Sequence, residues 1–143
     1  MSTRTRRLPV LIALALCIGL IGASCTKNND AFQAATFIND SRAASGLPSL
    51  QFDQRLIDKA QAWAEVMAAN GSVSHSNLSD GTGSGWRRLG ENVGFAYSVE
   101  EAHRLFMASS SHRGSILSRN YTKFGTGVAV SDGKYYVVQV FGA

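Results

Sequence analysis

The chain predicts an α+β domain, a sheet covered by helices, on three observations: two cap-bounded helical stretches come first, a third follows a long polar loop, and a β-rich hairpin comes last. Asp30 with Gln33 reads as a capping box opening a helix that carries Ala34, Phe37, Ile38 and Ser41 on one side and stops at Gly46, before Leu47-Pro48. Asp53 caps a second helix. Leu56, Ala60, Trp63, Ala64 and Met67 recur along it at the spacing of a buried stripe, and Asn70-Gly71 closes it. Residues 71–85 are rich in Ser, Gly, Asn and Asp, with only Val73 and Leu78 apolar, so they form a long loop. A short strand is expected over Asn92 to Tyr97. Ser98 and Glu101 box the start of a third helix, with Val99, Ala102, Leu105 and Phe106 inward and Glu100 to Arg104 as an exposed pair. Ser109-Ser110-Ser111 ends that helix. Gly125 to Val130 and Tyr135 to Phe141, joined by Asp132-Gly133, form an antiparallel hairpin.

At 143 residues the chain suits one domain with one core. Its 45% hydrophobic and 17% charged residues exclude a disordered tail and a polytopic membrane protein. The net charge of +4 is local: of fourteen basic residues, Arg4, Arg6 and Arg7 precede residue 8, leaving eleven against ten acids. Without a basic surplus or a basic stripe interleaved with aromatics, nucleic acid is not an expected partner.

Those early arginines begin an export signal, expected over residues 1–24. Leu8 to Ile21 is almost wholly apolar but, at about 1.5 Å per residue, falls short of a bilayer core of roughly 30 Å. Gly22-Ala23-Ser24-Cys25 resembles a bacterial lipobox, in which the cysteine is diacylated and becomes the new N-terminus. Cys25 is then the lipidation site, residues 25–30 a short tether, and residues 31–143 the domain, with the membrane a partner through the acyl chains. Gly22 departs from the leucine usual there, so plain secretion with cleavage near Ala23 or Ser24 is the alternative. With Cys17 inside the apolar run, the mature chain keeps at most Cys25 and forms no internal disulfide.

The ionisable groups that a core does not explain are His75, His103, His112 and Glu91. His75 and His112 each follow a serine at a break in regular structure, where binding groups concentrate. Their separation is no local metal motif, although two imidazoles and a carboxylate could hold a divalent metal if the fold joined them. His103, mid-helix beside Val99 and Phe106, reads as a partly buried structural residue. Glu91, between Gly90 and Asn92, reads as a carboxylate held where the backbone turns tightly, or else as a surface acid at the mouth of a strand. Ser111 beside His112 makes no hydrolase pair, because sequence neighbours point apart and no Gly-x-Ser-x-Gly elbow exists. Gly81 to Gly85 lacks the Lys-Ser/Thr of a phosphate loop.

Asn39-Asp40-Ser41-Arg42, Gly90-Glu91-Asn92-Val93, His112 to Leu117 and Tyr135 to Phe141 resemble, in order, the motifs of the bacterial SCP-like branch of the CAP superfamily, over about Phe32 to Phe141. The superfamily takes its name from cysteine-rich secretory proteins, antigen 5 and pathogenesis-related class 1 proteins. The resemblance implies a three-layer α-β-α sandwich with a central antiparallel sheet and a cavity lined by two histidines and two glutamates, at which some members bind a divalent metal such as zinc. Carried over, those positions are His75, Glu91 and His112. The second glutamate has no counterpart; counting one turn from Phe106 lands on Ser109. Relatives have no agreed enzymatic activity, and the proposals for them include lipid, sterol, peptide or cell-wall binding and metal-dependent proteolysis. The expectation is therefore an exported, lipid-anchored binding or interaction module at the cell envelope, more a binder than an enzyme. The alternative is a metal-dependent protease or cell-wall hydrolase using the same residues.

Overall fold

The computed structural model describes the backbone of residues 19–143, with side chains from residue 29 onward. Most of the expected export signal, residues 1–18, and the side chain of Cys25 lie outside the described residues. Helix α1 spans Gly19–Ala44. The expected start at Asp30 is thus no boundary, and residues 25–30 are helical. No proline falls between Pro9 and Pro48, so nothing local breaks the helix there. Among the described residues no helix is long and apolar enough to cross a membrane.

Strand β1 (Gln51–Phe52) leads into α2 (Gln54–Asn70), then β2 (Leu89–Ala96), α3 (Val99–Ala108), α4 (Ser110–Ile116), β3 (Lys123–Ser131) and β4 (Lys134–Gly142). The sheet order is β1-β3-β4-β2. Its three long strands are antiparallel, while β1 adds two residues parallel to β3, so the sheet is mixed rather than purely antiparallel. The expected hairpin is present. Asp132 and Gly133 both have positive φ, 50° and 71°, which gives the turn the twist its flanking strands require.

Helix α2 covers one face and α1, α3 and α4 the other, giving the α-β-α sandwich. Leu56, Ala60, Ala64, Met67 and Ala68 pack on Val93, Tyr136, Val138 and Val140. Across the sheet, Ala34, Ile38, Val99, Phe106 and Ile116 meet Phe124, Val128, Val137 and Phe141. Asp53 caps α2 through the Arg55 amide, and Ser98 caps α3 through the Glu101 amide. Leu105, expected inward, is 44% exposed, and Arg104 pairs with Glu101 rather than Glu100.

A buried polar row crosses the second face. Thr126, Gln139 and Asn92 stand in register on β3, β4 and β2. At one end the Thr126 hydroxyl donates to the Ala31 carbonyl of α1 at 2.7 Å. At the other, Asn92 Nδ2 donates to Gln139 Oε1 and to the His112 carbonyl of α4, each at 3.0 Å. The row ties both helices to the sheet.

Candidate functional site

Among the described residues strand β2 pairs only with β4, so it forms one edge of the sheet. Its alternating side chains serve the two layers in turn: Glu91 faces the α2 side and Asn92 the α4 side. Glu91, expected at the mouth of a strand, lies inside one, because β2 begins at Leu89 rather than at Asn92.

The Glu91 side chain is 1% exposed. Three donors converge on it: His75 Nδ1 at 2.8 Å and the Ser76 amide at 2.9 Å on Oε1, and the Ser76 hydroxyl at 2.7 Å on Oε2. A carboxylate can only accept, so the hydrogen of the neutral His75 ring is on Nδ1 and the lone pair on Nε2. The ring's side chain is 63% exposed. The loop from α2 therefore presents an oriented imidazole on a buried carboxylate.

His112 arrives from the other layer. The sequence places it at a break after the third helix, but Ser109 both ends α3 and starts α4, which puts His112 in the first turn of a short helix. Its ring meets Phe106 edge-on, centroids 5.0 Å apart. Burial first, and then the nearby charge of His75, lower its pKa below the usual imidazole value. His75 and Glu91 are in direct contact, and His112 is within electrostatic reach of His75. Four surface cavities of about 310 to 520 Å³ are lined by other residues.

What Glu91 already holds decides whether the donors fit a divalent metal. Two of the three donors are on Oε1 and one is on Oε2, so the carboxylate is engaged chiefly with His75 and Ser76. Among the described residues no group of three or more His, Cys, Asp or Glu side chains is arranged to hold a metal ion. The set His75, Glu91 and His112 is accordingly not found as a three-ligand group among the described residues.

No nucleophile is in place beside either imidazole among the described residues. The Ser111 hydroxyl pairs with that of Ser109 at 3.2 Å, and Ser109, where the second glutamate would fall, is a helix cap. Ser41 Oγ does lie 2.8 Å from His103 Nε2, but His103 Nδ1 is buried without a partner, so no acid orients that ring. Sequence reasoning missed Ser76 and Asn92. Their signals were adjacency to His75 and a polar residue alternating with Val93 on a buried strand.

The family model described as CAP, the cysteine-rich secretory protein family, matches residues 35–141. Uncharacterized protein YkwD of Bacillus subtilis strain 168 is 29% identical over 113 residues, covering 73% of this chain and 44% of that protein. The chain thus spans less than half the length of this relative. A Bacillus anthracis extracellular protein containing a SCP domain superposes with a TM-score of 0.72 at 27% identity, over 87% of this chain and 43% of the other. An outer surface protein from Borrelia burgdorferi shares the fold, with a TM-score of 0.71 at 17% identity over 80% and 92% of the two chains.

Proposed function

The chain belongs to the cysteine-rich secretory protein (CAP) family in its bacterial SCP-like form, and from that premise we propose that it is an exported, non-enzymatic binding module at the cell envelope. Anchoring is through diacylated Cys25. The ligand contact is the edge of β2, where His75 and His112 come within electrostatic reach of each other from the two sides of the sheet.

The observation that carries this reading is the buried Glu91 carboxylate and the three donors it already accepts. Its three hydrogen bonds make it an orienting group rather than a general base, and no serine hydroxyl is bonded to His75 or His112 among the described residues. An oriented, exposed imidazole beside a second one is a recognition surface for a polar ligand such as a peptide or a cell-wall fragment. The extracellular and outer-surface descriptions of two related proteins support export. The basic start, the apolar run and the small residues before Cys25 support the anchor.

The purified protein and a His75→Ala/His112→Ala variant, each with and without zinc, are assayed for pull-down of peptidoglycan and for cleavage of casein and peptidoglycan. Expected are retention lost in the variant and background cleavage throughout. Zinc-dependent cleavage by the wild type alone would instead establish the hydrolase reading, and retention unchanged in the variant would move the contact to another face. Mass spectrometry of the membrane fraction checks the anchor: an unmodified Cys25 refutes it.

A further inference from the structure

Arg42 is 1% exposed, yet its charge meets no carboxylate among the described residues. Nε donates to the Pro48 carbonyl at 2.9 Å, and Nη1 donates to those of Ile116 and Ser118 at 2.9 and 2.8 Å. Carbonyl dipoles solvate the cation without neutralising it. Nη2 has no acceptor among the described residues. It is also not sealed off, since the fully buried, unpartnered side-chain atoms there are Asn92 Oδ1 and His103 Nδ1.

Arg42 lines a cavity of about 390 Å³ together with Arg119, and the hydroxyl-bearing Ser49 and Thr122 are among its other lining residues. Arg119 is exposed and has no ion-pair partner among the described residues. Two arginines thus line one hollow whose lining residues include no acid. We propose that this cavity, between the end of α1 and the segment joining α4 to β3, is a binding site for a phosphate group.

A phosphate supplies what the wall lacks. Its negative charge offsets two adjacent cations, and its several oxygens accept from Nη2 of Arg42, the fork of Arg119 and the hydroxyls. Burial and then the charge of Arg119 lower the Arg42 pKa, the direction expected of a buried cation with a like charge nearby. The same chemistry is available from inorganic phosphate and from a phospholipid headgroup. The site lies apart from His75 and His112, and it stands or falls independently of their role.

Inorganic phosphate is titrated into the purified full-length protein in detergent at constant ionic strength, with chloride as reference, while the arginine Nε–H resonances are followed. Expected is a saturable shift confined to Arg42 and Arg119. Arg119→Glu should weaken it by roughly tenfold or more. Because Arg119 is exposed and its side chain holds nothing in place, that variant should keep its thermal midpoint even if Arg42→Met does not fold. A shift that does not saturate, or one unchanged by Arg119→Glu, overturns the site. A second arm compares flotation with phosphatidylglycerol and phosphatidylcholine vesicles. A phosphatidylglycerol preference competed by inorganic phosphate and lost in Arg119→Glu assigns the headgroup, whereas a phosphate shift without that preference assigns the free ion.

Discussion

His103 and His112 were both visible in the sequence as histidines, but what separates them is local burial, which a sequence does not print. His103 is half-buried between α1 and α3, against Phe37 at 5.5 Å and bonded to Ser41, in a hollow it shares with Glu100, Glu101 and Arg104. Its Nδ1 has no partner among the described residues. Protonation would put a second N–H there with nothing to accept it. Burial lowers its pKa below 6.5, against a smaller opposing pull from Asp40. Below 6.5 the folded protein then binds fewer protons than the unfolded chain, so this stabilisation is complete above 6.5 and is lost as the pH falls through the lowered value. His103→Gln, which can keep the Ser41 bond but does not titrate, should flatten the acid side of the stability profile. One such group contributes at most about 1.4 kcal/mol per pH unit. Denaturant midpoints measured from about pH 7.5 to 5, a range that brackets the imidazole titration, check this. An identical slope in the variant would assign the acid sensitivity to other groups, His112 among them. Ser76 and Asn92 were hidden for a related reason, since a hydrogen-bond partner is set by three-dimensional placement.

Elements were legible where a cap or a turn coincided with a strong pattern, as in α2, α3 and the final hairpin. They were missed where packing alone sustains them. Helix α4 has only seven residues, three of them serine and one glycine, a composition with little intrinsic helicity. It persists because Ile116 is fully buried and Asn92 holds the His112 carbonyl. Strand β1, two residues long, carries no periodicity to read. The close fit of α2 on β3 was equally hidden. A Cβ on Gly125 would lie 2.2 Å from the Leu56 and Ile57 backbone, and one on Gly127 would lie 2.3 Å from that of Ala60 and Gln61. Two glycines at a spacing of two thus let the helix axis settle onto the strand. Gly127→Ala forces backbone apart and should cost about 3 kcal/mol or more, at the upper end of overpacking. Gly133→Ala, whose Cβ meets nothing within 4 Å, should cost only its strained positive φ, about 1 kcal/mol. Urea unfolding of the two variants tests the order, and equal losses would mean the helix can shift outward freely.

At the scale of the whole molecule, two histidines from opposite helical layers come within reach because β2 is an edge and each layer is fastened to it separately. Glu91 fastens the α2 side through His75 and Ser76, while Asn92 fastens α4 through the His112 carbonyl. The motif blocks of the sequence named Glu91 and His112, and the family resemblance added His75 from the loop after the second helix, but how the three come together was left open, since it depends on strand order. The two attachments make separable predictions about His112, whose pKa is lowered by burial first and by His75 second. Removing Asn92 frees α4 from the sheet and exposes the ring, whereas removing His75 deletes only the smaller contribution. Asn92→Ala should therefore raise the His112 pKa toward 6.5 by more than His75→Ala does. The same variant should cost about 2 kcal/mol for the acceptors it leaves unpaired. Titration of the His112 ring proton by NMR in both variants reads the difference directly. A larger rise in His75→Ala would mean that charge, not the sheet-edge fastening, governs His112, and that α4 is held in place without Asn92.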